Sequence, residues 1–221
     1  MGCSLRSDFS PHACAPYLKV RHQGAHLKTL LLLITFFTSL TVNAENLVKI
    51  HAPHYETFAC VEHWEGQFNG RVRDARGTDC IIQEFTGEDD RYFIQPFTGK
   101  GHKNEDWFGY NKQVLAPCDC TVEKVHINPI TNQPGIQTPG IASSITFEKS
   151  DGTKISYAHI KDVTVQVGDK VKAGDIVAKV GNNGWARNPH IHIAAWKDLI
   201  PMQIQFDQKT IELKDRGLMK K

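Results

Sequence analysis

The feature that most limits the fold is a succession of short β-prone runs cut by Gly-Asp and Asp-Gly turns. Val114-Leu115-Ala116 leads into Pro117, and Thr121 to Ile127 alternates in part. Asn128 to Gly140 is rich in Pro, Asn and Gly and reads as a loop. Ile145-Thr146-Phe147-Glu148 then runs into Ser150-Asp151-Gly152-Thr153, a hairpin turn signal, and Lys154 to Ile160 supplies the returning strand. Val163-Thr164-Val165, Val171-Lys172 and Ile176 to Val180 follow, separated by Gly168-Asp169 and Gly174-Asp175. Closely spaced strands with such turns predict an all-β chain, mainly an antiparallel sheet or barrel, with little helix.

Within this pattern Asn188 to Trp196, NPHIHIAAW, carries chemistry. On a strand, alternate side chains share a face. His190 and His192 then point one way, and Ile191 and Ile193 the other. Two imidazoles on one face of a rigid strand make half of a metal site, because neutral imidazole is the commonest zinc ligand. A polar edge strand whose histidines meet only water fits the same stretch, so the remaining ligands must come from elsewhere.

Leu30 to Leu40 is the only long apolar run, shorter than the roughly 20 residues that cross a bilayer. Lys19, Arg21 and Lys28 precede it, and Val42-Asn43-Ala44 follows with small residues at the −3 and −1 positions. This predicts a secretory leader over residues 1–44 and no stable membrane span after its removal. The expected location is outside the cytoplasm, periplasmic or extracellular. The formal net charge of the 221 residues is only +2, and no basic field survives once the leader is set aside. Nucleic acid is therefore excluded as the partner.

Four cysteines follow the leader: Cys60, Cys80, Cys118 and Cys120. An even number in an exported chain favours disulfides. Cys60 with Cys80 closes a modest loop and is the favoured pair, whereas Cys118-Asp119-Cys120 would be strained as a bridge. Crossed pairing stays open, and a second zinc site lacks the CxxC spacing it would need.

His102-Lys103-Asn104-Glu105-Asp106 places an imidazole and a carboxylate four residues apart, on one face of either a helix or a strand. One later imidazole added to this pair gives three protein ligands, which leaves a fourth position for water and marks a catalytic zinc site. There is no HExxH, so a helix-borne zinc site is not expected. His51, His54 and His63, with Glu56, Glu62 and Glu65, read as solvated surface.

In this order the motifs resemble the lysostaphin-type, LytM-like zinc endopeptidases that cut peptidoglycan peptides. The resemblance runs from about Phe97 to Trp196. It rests on His102 to Asp106, Val114-Leu115-Ala116, Ser156-Tyr157-Ala158-His159-Ile160, Val167 to Asp175, Gly181-Asn182-Asn183-Gly184 and Pro189-His190-Ile191-His192. It implies a barrel-sandwich hybrid of the duplicated hybrid motif type and one zinc ion held by His102, Asp106 and His192. His159 and His190 would be the catalytic pair beside the metal, and Tyr157 a substrate or packing residue. The substrate implied is a peptidoglycan cross-link or bridge peptide. Departures from the family pattern are Asn104-Glu105 before the aspartate, Trp107-Phe108-Gly109-Tyr110 after it, and Cys118-Asp119-Cys120 in place of an Asp-Gly turn.

The expected organisation is a leader over 1–44, an N-terminal extension or small subdomain over 45–96, the peptidase domain over 97–200 and a C-terminal tail over 201–221. As a prosegment, residues 45–96 would bring His51, His54 or His63 to the open zinc position. The alternative function is a catalytically silent module that binds cell wall and regulates other hydrolases.

Overall fold

The hairpin signalled by Ser150 to Thr153 forms as expected. Asp151 Oδ1 accepts the Thr153 N–H at 2.9 Å, and Gly152 takes the positive φ of +82° that the turn demands. It belongs to a computed structural model that describes residues 46–64, 67 and 72–219. The expected leader, with Cys3 and Cys14, lies outside the described residues.

The strands are β1 (Leu47–Ile50), β2 (Phe58–Glu62), β3 (Thr78–Ile82), β4 (Glu84–Glu88), β5 (Arg91–Gln95), β6 (Gln113–Leu115), β7 (Cys120–His126) and β8 (Ser144–Glu148). After them come β9 (Lys154–Ala158), β10 (Ile160–Lys161), β11 (Lys170–Val171), β12 (Ile176–Val180), β13 (Ile191–Lys197), β14 (Ile200–Pro201) and β15 (Gln203–Phe206). Helix among the described residues is 3-10 only: Asn46 and the single turns Val72–Asp74, Asn104–Asp106 and Gln208–Thr210. The chain is all-β. Val163–Val165 forms no strand; Thr164 N–H instead bonds the Val177 carbonyl at 3.0 Å.

The main sheet runs β11-β7-β8-β9-β13-β3-β2, with β14 on the far end of β13. All its pairings are antiparallel. A second sheet, β10-β12-β6, packs its Val114, Val177, Val180 and Ile160 into the same core. One face of the main sheet is apolar: Ile145, Phe147, Ile155, Tyr157, Ile191 and Ile193 are completely buried. The period of two thus puts Ile191 and Ile193 inside and leaves the other face for His192. Tyr157 is a core residue, edge-on to Phe147 at 5.5 Å, and its packing role prevails over substrate contact.

Residues before 97 are woven into this sheet. β2 and β3 extend it beyond β13, while β1 pairs in parallel with β15 near the other end of the chain. Lys214 N–H also bonds the Tyr55 carbonyl at 2.9 Å, and Thr57 donates to Asp215 at 2.7 Å. Two of the histidines expected at solvated surface, His54 and His63, are not there. His54 is fully buried, donates from Nδ1 to the Gln113 carbonyl at 3.1 Å, and has its pKa lowered to about 4 by burial. The His63 side chain is only 5% exposed.

Cys60 and Cys80 stand directly opposite each other on β2 and β3 and are bridged, as favoured from the sequence. Cys118 and Cys120 are bridged as well. The Cys60–Cys80 bridge spans 20 residues, a loop whose closure is worth about 3 kcal/mol through the unfolded chain. Cys60→Ser/Cys80→Ser is therefore expected to unfold at a temperature several degrees lower in a thermal melt. An unchanged midpoint would contradict this.

Candidate metal centre

His192, the second residue of β13, stands opposite Ala158 on β9 and Asp79 on β3. Both its ring nitrogens meet carboxylates. Nε2 lies 2.6 Å from Asp74 Oδ1, and Nδ1 lies 2.9 Å from Asp79 Oδ1. A neutral imidazole carries one proton, so if Nε2–H donates to Asp74, the Nδ1 lone pair faces a carboxylate oxygen. That gap must hold a proton or a cation. Burial alone would lower the His192 pKa, but the two hydrogen-bonded carboxylates outweigh it and raise the value to about 9. Burial also pushes Asp79 upward, and bonds from His190 and His192 overcome this and hold it well below the usual carboxylate range.

His63 completes the cluster. Its ring stacks on His192 with centroids 4.9 Å apart, and its Nε2 is 3.6 Å from Asp79 Oδ1. His63, Asp79 and His192 each offer a ligand atom, all within 4.8 Å of one another. On a tetrahedral zinc with bonds of about 2.0–2.2 Å, ligand atoms lie about 3.3–3.6 Å apart. The two separations to Asp79, 2.9 and 3.6 Å, bracket that spacing, and the third, between the histidines, is within 4.8 Å. Asp74 then plays the carboxylate that accepts the other ring N–H and fixes the tautomer of a metal-bound histidine. The donor set and its outer partner fit a zinc ion. Gly77 lies directly against the cluster. A Cβ there would come within 2.6 Å of Asp74 Oδ1 and 2.8 Å of His192 Cε1.

Two further imidazoles face the cluster. His190 Nε2 is 3.6 Å from Asp79 Oδ1, and its Nδ1 donates to the Asn188 carbonyl at 2.7 Å. His159 lies 4.7 Å from His190 and 6.1 Å from His192, centroid to centroid. Its Nδ1 donates to the Asn183 carbonyl at 2.8 Å. The backbone carbonyls hold Nδ1–H on both rings and leave each Nε2 as the basic nitrogen. His159 adopts φ +63°, an uncommon conformation that breaks the strand between β9 and β10 and turns the ring toward the site. Burial, then the neighbouring His190 and His192, lowers its pKa to about 3. Asn183 is itself fixed, accepting the Ser143 N–H and donating to the Ile160 carbonyl.

Of the five site residues expected from sequence, His159, His190 and His192 come together. The expected trio of His102, Asp106 and His192 is not gathered. His102 is exposed, and the Asp106 carboxylate accepts the Lys103 N–H at 3.0 Å, capping the Asn104–Asp106 turn. Neither belongs to the converging group. The motif's central residue is used structurally: Asn104 bonds the Asn132 carbonyl and accepts from Asn182. Sequence reasoning missed Asp79 and Asp74 and left His63 only as a possible occupant of the open position. The available signal was Asp79 itself, a carboxylate inside the β-prone run Thr78 to Ile82, where Asp is disfavoured.

Residues 100–204 match the sequence model of Peptidase family M23. The match includes His102 and Asp106 as well as His159, His190 and His192, whereas His63, Asp74 and Asp79 precede it. A protein of Buchnera aphidicola named "Uncharacterized metalloprotease" is 36% identical over 52 residues, 24% of this chain and 14% of the relative. One of the same name from Haemophilus influenzae is 31% identical over 100 residues, 44% of this chain and 19% of the relative. The chain thus spans less than a fifth of either curated relative. Among solved structures, the catalytic domain of the prophage-encoded M23 protein EnpA from Enterococcus faecalis is 21% identical, with a TM-score of 0.43, covering 67% of this chain and 88% of that one. The lysostaphin catalytic domain from Staphylococcus simulans is 17% identical, with a TM-score of 0.42 and coverages of 66% and 88%.

The two ligand sets separate experimentally. Zinc content after dialysis is expected to collapse in His63→Ala and Asp79→Asn and to be retained in His102→Ala. Zinc retained by Asp79→Asn and lost by His102→Ala would contradict this.

Proposed function

We propose, on the premise that residues 100–204 belong to peptidase family M23, that the chain is an exported zinc metalloendopeptidase that hydrolyses peptide bonds in peptidoglycan cross-links or bridges. The observation that carries this is the convergence of His63, Asp79 and His192 with the His159–His190 pair beside them. The metal ligands in this proposal are His63, Asp79 and His192, in place of the His102 and Asp106 drawn from the motif. A zinc ion held there supplies Lewis acidity, polarising a scissile carbonyl and lowering the pKa of a water to about 7.

The chain's own groups do the rest. Asp79 and His192 sit on paired strands in the middle of the sheet, so their separation is set by the ladder rather than by loops. Asp74 keeps the His192 tautomer with its proton on Nε2. His159 and His190 share the proton work: one takes the proton of the attacking water at its Nε2, and the other, protonated, donates to the developing oxyanion. Export rests on the leader-like features of residues 1–44. No described helix is long and apolar enough to cross a membrane.

Purified peptidoglycan incubated with the wild-type protein is expected to release shortened cross-link peptides by mass spectrometry, and a chelator should stop the release. His190→Ala should keep its zinc and lose turnover by about 10²–10⁴-fold. Unchanged muropeptides with the zinc-loaded wild type, or full turnover by His190→Ala, would overturn the reading.

A further inference from the structure

The polar face of the main sheet continues well beyond the metal centre. Along β13, His192, Ala194 and Trp196 share this face, with Ala158, Ser156 and Lys154 beside them on β9 and Ser144, Thr146 and Glu148 on β8. Ala194, Ala158, Ser156, Ser144 and Thr146 on this face are small, so no large side chain of these strands stands between His192 and Trp196. At the far end of this face is a cavity of about 590 Å³ whose lining includes Arg73, Lys124, Lys154, Trp196 and Asp198. Trp196 lies four strand positions beyond His192, about 13 Å, or roughly four residues of an extended peptide.

The cavity lining carries three cations, Arg73, Lys124 and Lys154, and three carboxylates, Glu123, Glu148 and Asp198, and they are unevenly paired. Lys154 pairs with Glu123 and lies 4.0 Å from Glu148. Arg73 and Lys124 make no ion pair among the described residues, against Asp198 as the one lining carboxylate similarly placed. The Arg73 guanidinium lies over the Trp196 ring, 5.6 Å from its centroid. A guanidinium held over a ring face makes no hydrogen bond with it, so its N–H groups stay available for pairing with a carboxylate. Arg73 also precedes Asp74 in the turn Val72–Asp74, so one turn carries both the His192 partner and this cation.

We infer that the cavity between Arg73, Lys124 and Trp196 is a subsite for a carboxylate-bearing residue of the substrate peptide, about four residues from the scissile bond. The inference rests on the peptidase reading for the word substrate, and the test separates the two. Soluble muropeptides from purified peptidoglycan are used as isolated and after carbodiimide amidation of their carboxylates. Binding is measured by calorimetry to zinc-loaded His190→Ala protein, with and without Arg73→Gln. The native muropeptides are expected to bind about tenfold or more tightly than the amidated ones, and Arg73→Gln should remove that difference with zinc content unchanged. Equal binding of both preparations, no binding of either, or a preference that survives Arg73→Gln overturns the subsite. Carboxylate preference without any hydrolysis by the wild type would retire the peptidase reading and keep the subsite. Hydrolysis without preference would do the reverse.

Discussion

His192 is held between two carboxylates, and much of the molecule is arranged to keep it there. A histidine with Asp74 on one nitrogen and Asp79 on the other cannot satisfy both unless a proton or a cation fills the Asp79 side. Asp79 is in register with His192 across a strand pair, and β3 is in turn stapled to β2 through Cys60 and Cys80. Gly77 admits Asp74 and His63 against the imidazole because it has no Cβ to obstruct them. Sheet pairing, a disulfide and a glycine thus converge on the geometry of one ring.

The two faces of the sheet divide the labour. Isoleucines at 145, 155, 191 and 193 are wholly buried on one face, and burying each is worth about 1.5–3 kcal/mol. That stability lets the opposite face carry costly groups: five clustered ionisable side chains and a left-handed His159. Around this cluster, buried asparagines replace secondary structure as the ordering device. Asn132 bonds the Gly184 and Ala186 carbonyls, Asn104 joins Asn132 to Asn182, and Asn183 fixes His159.

Local pattern made the strands legible. The hairpin of β8 and β9, the extent of β12 and the inward Ile191 and Ile193 follow from alternation and turn residues, which act over a few positions. The three later histidines were legible because strand period and motif order agree. His63, Asp74 and Asp79 were not, because they reach His192 by pairing across more than a hundred residues, and a register of that kind leaves no local trace. His102 and Asp106 show the complementary failure. Their spacing suits a metal, but a 3-10 turn with its own cap consumes the carboxylate. The Glu84–Gln95 hairpin, with Phe85 and Tyr92 exposed, lay within residues that alternation did not resolve.

The central claim is the identity of the metal ligands. Anomalous scattering at the zinc edge from crystals of the zinc-loaded protein tests it most directly. The account predicts a single peak within about 2.2 Å of His63 Nε2, Asp79 Oδ1 and His192 Nδ1, with Asp74 still bonded to His192 Nε2. A peak between His102 and Asp106 instead would contradict it.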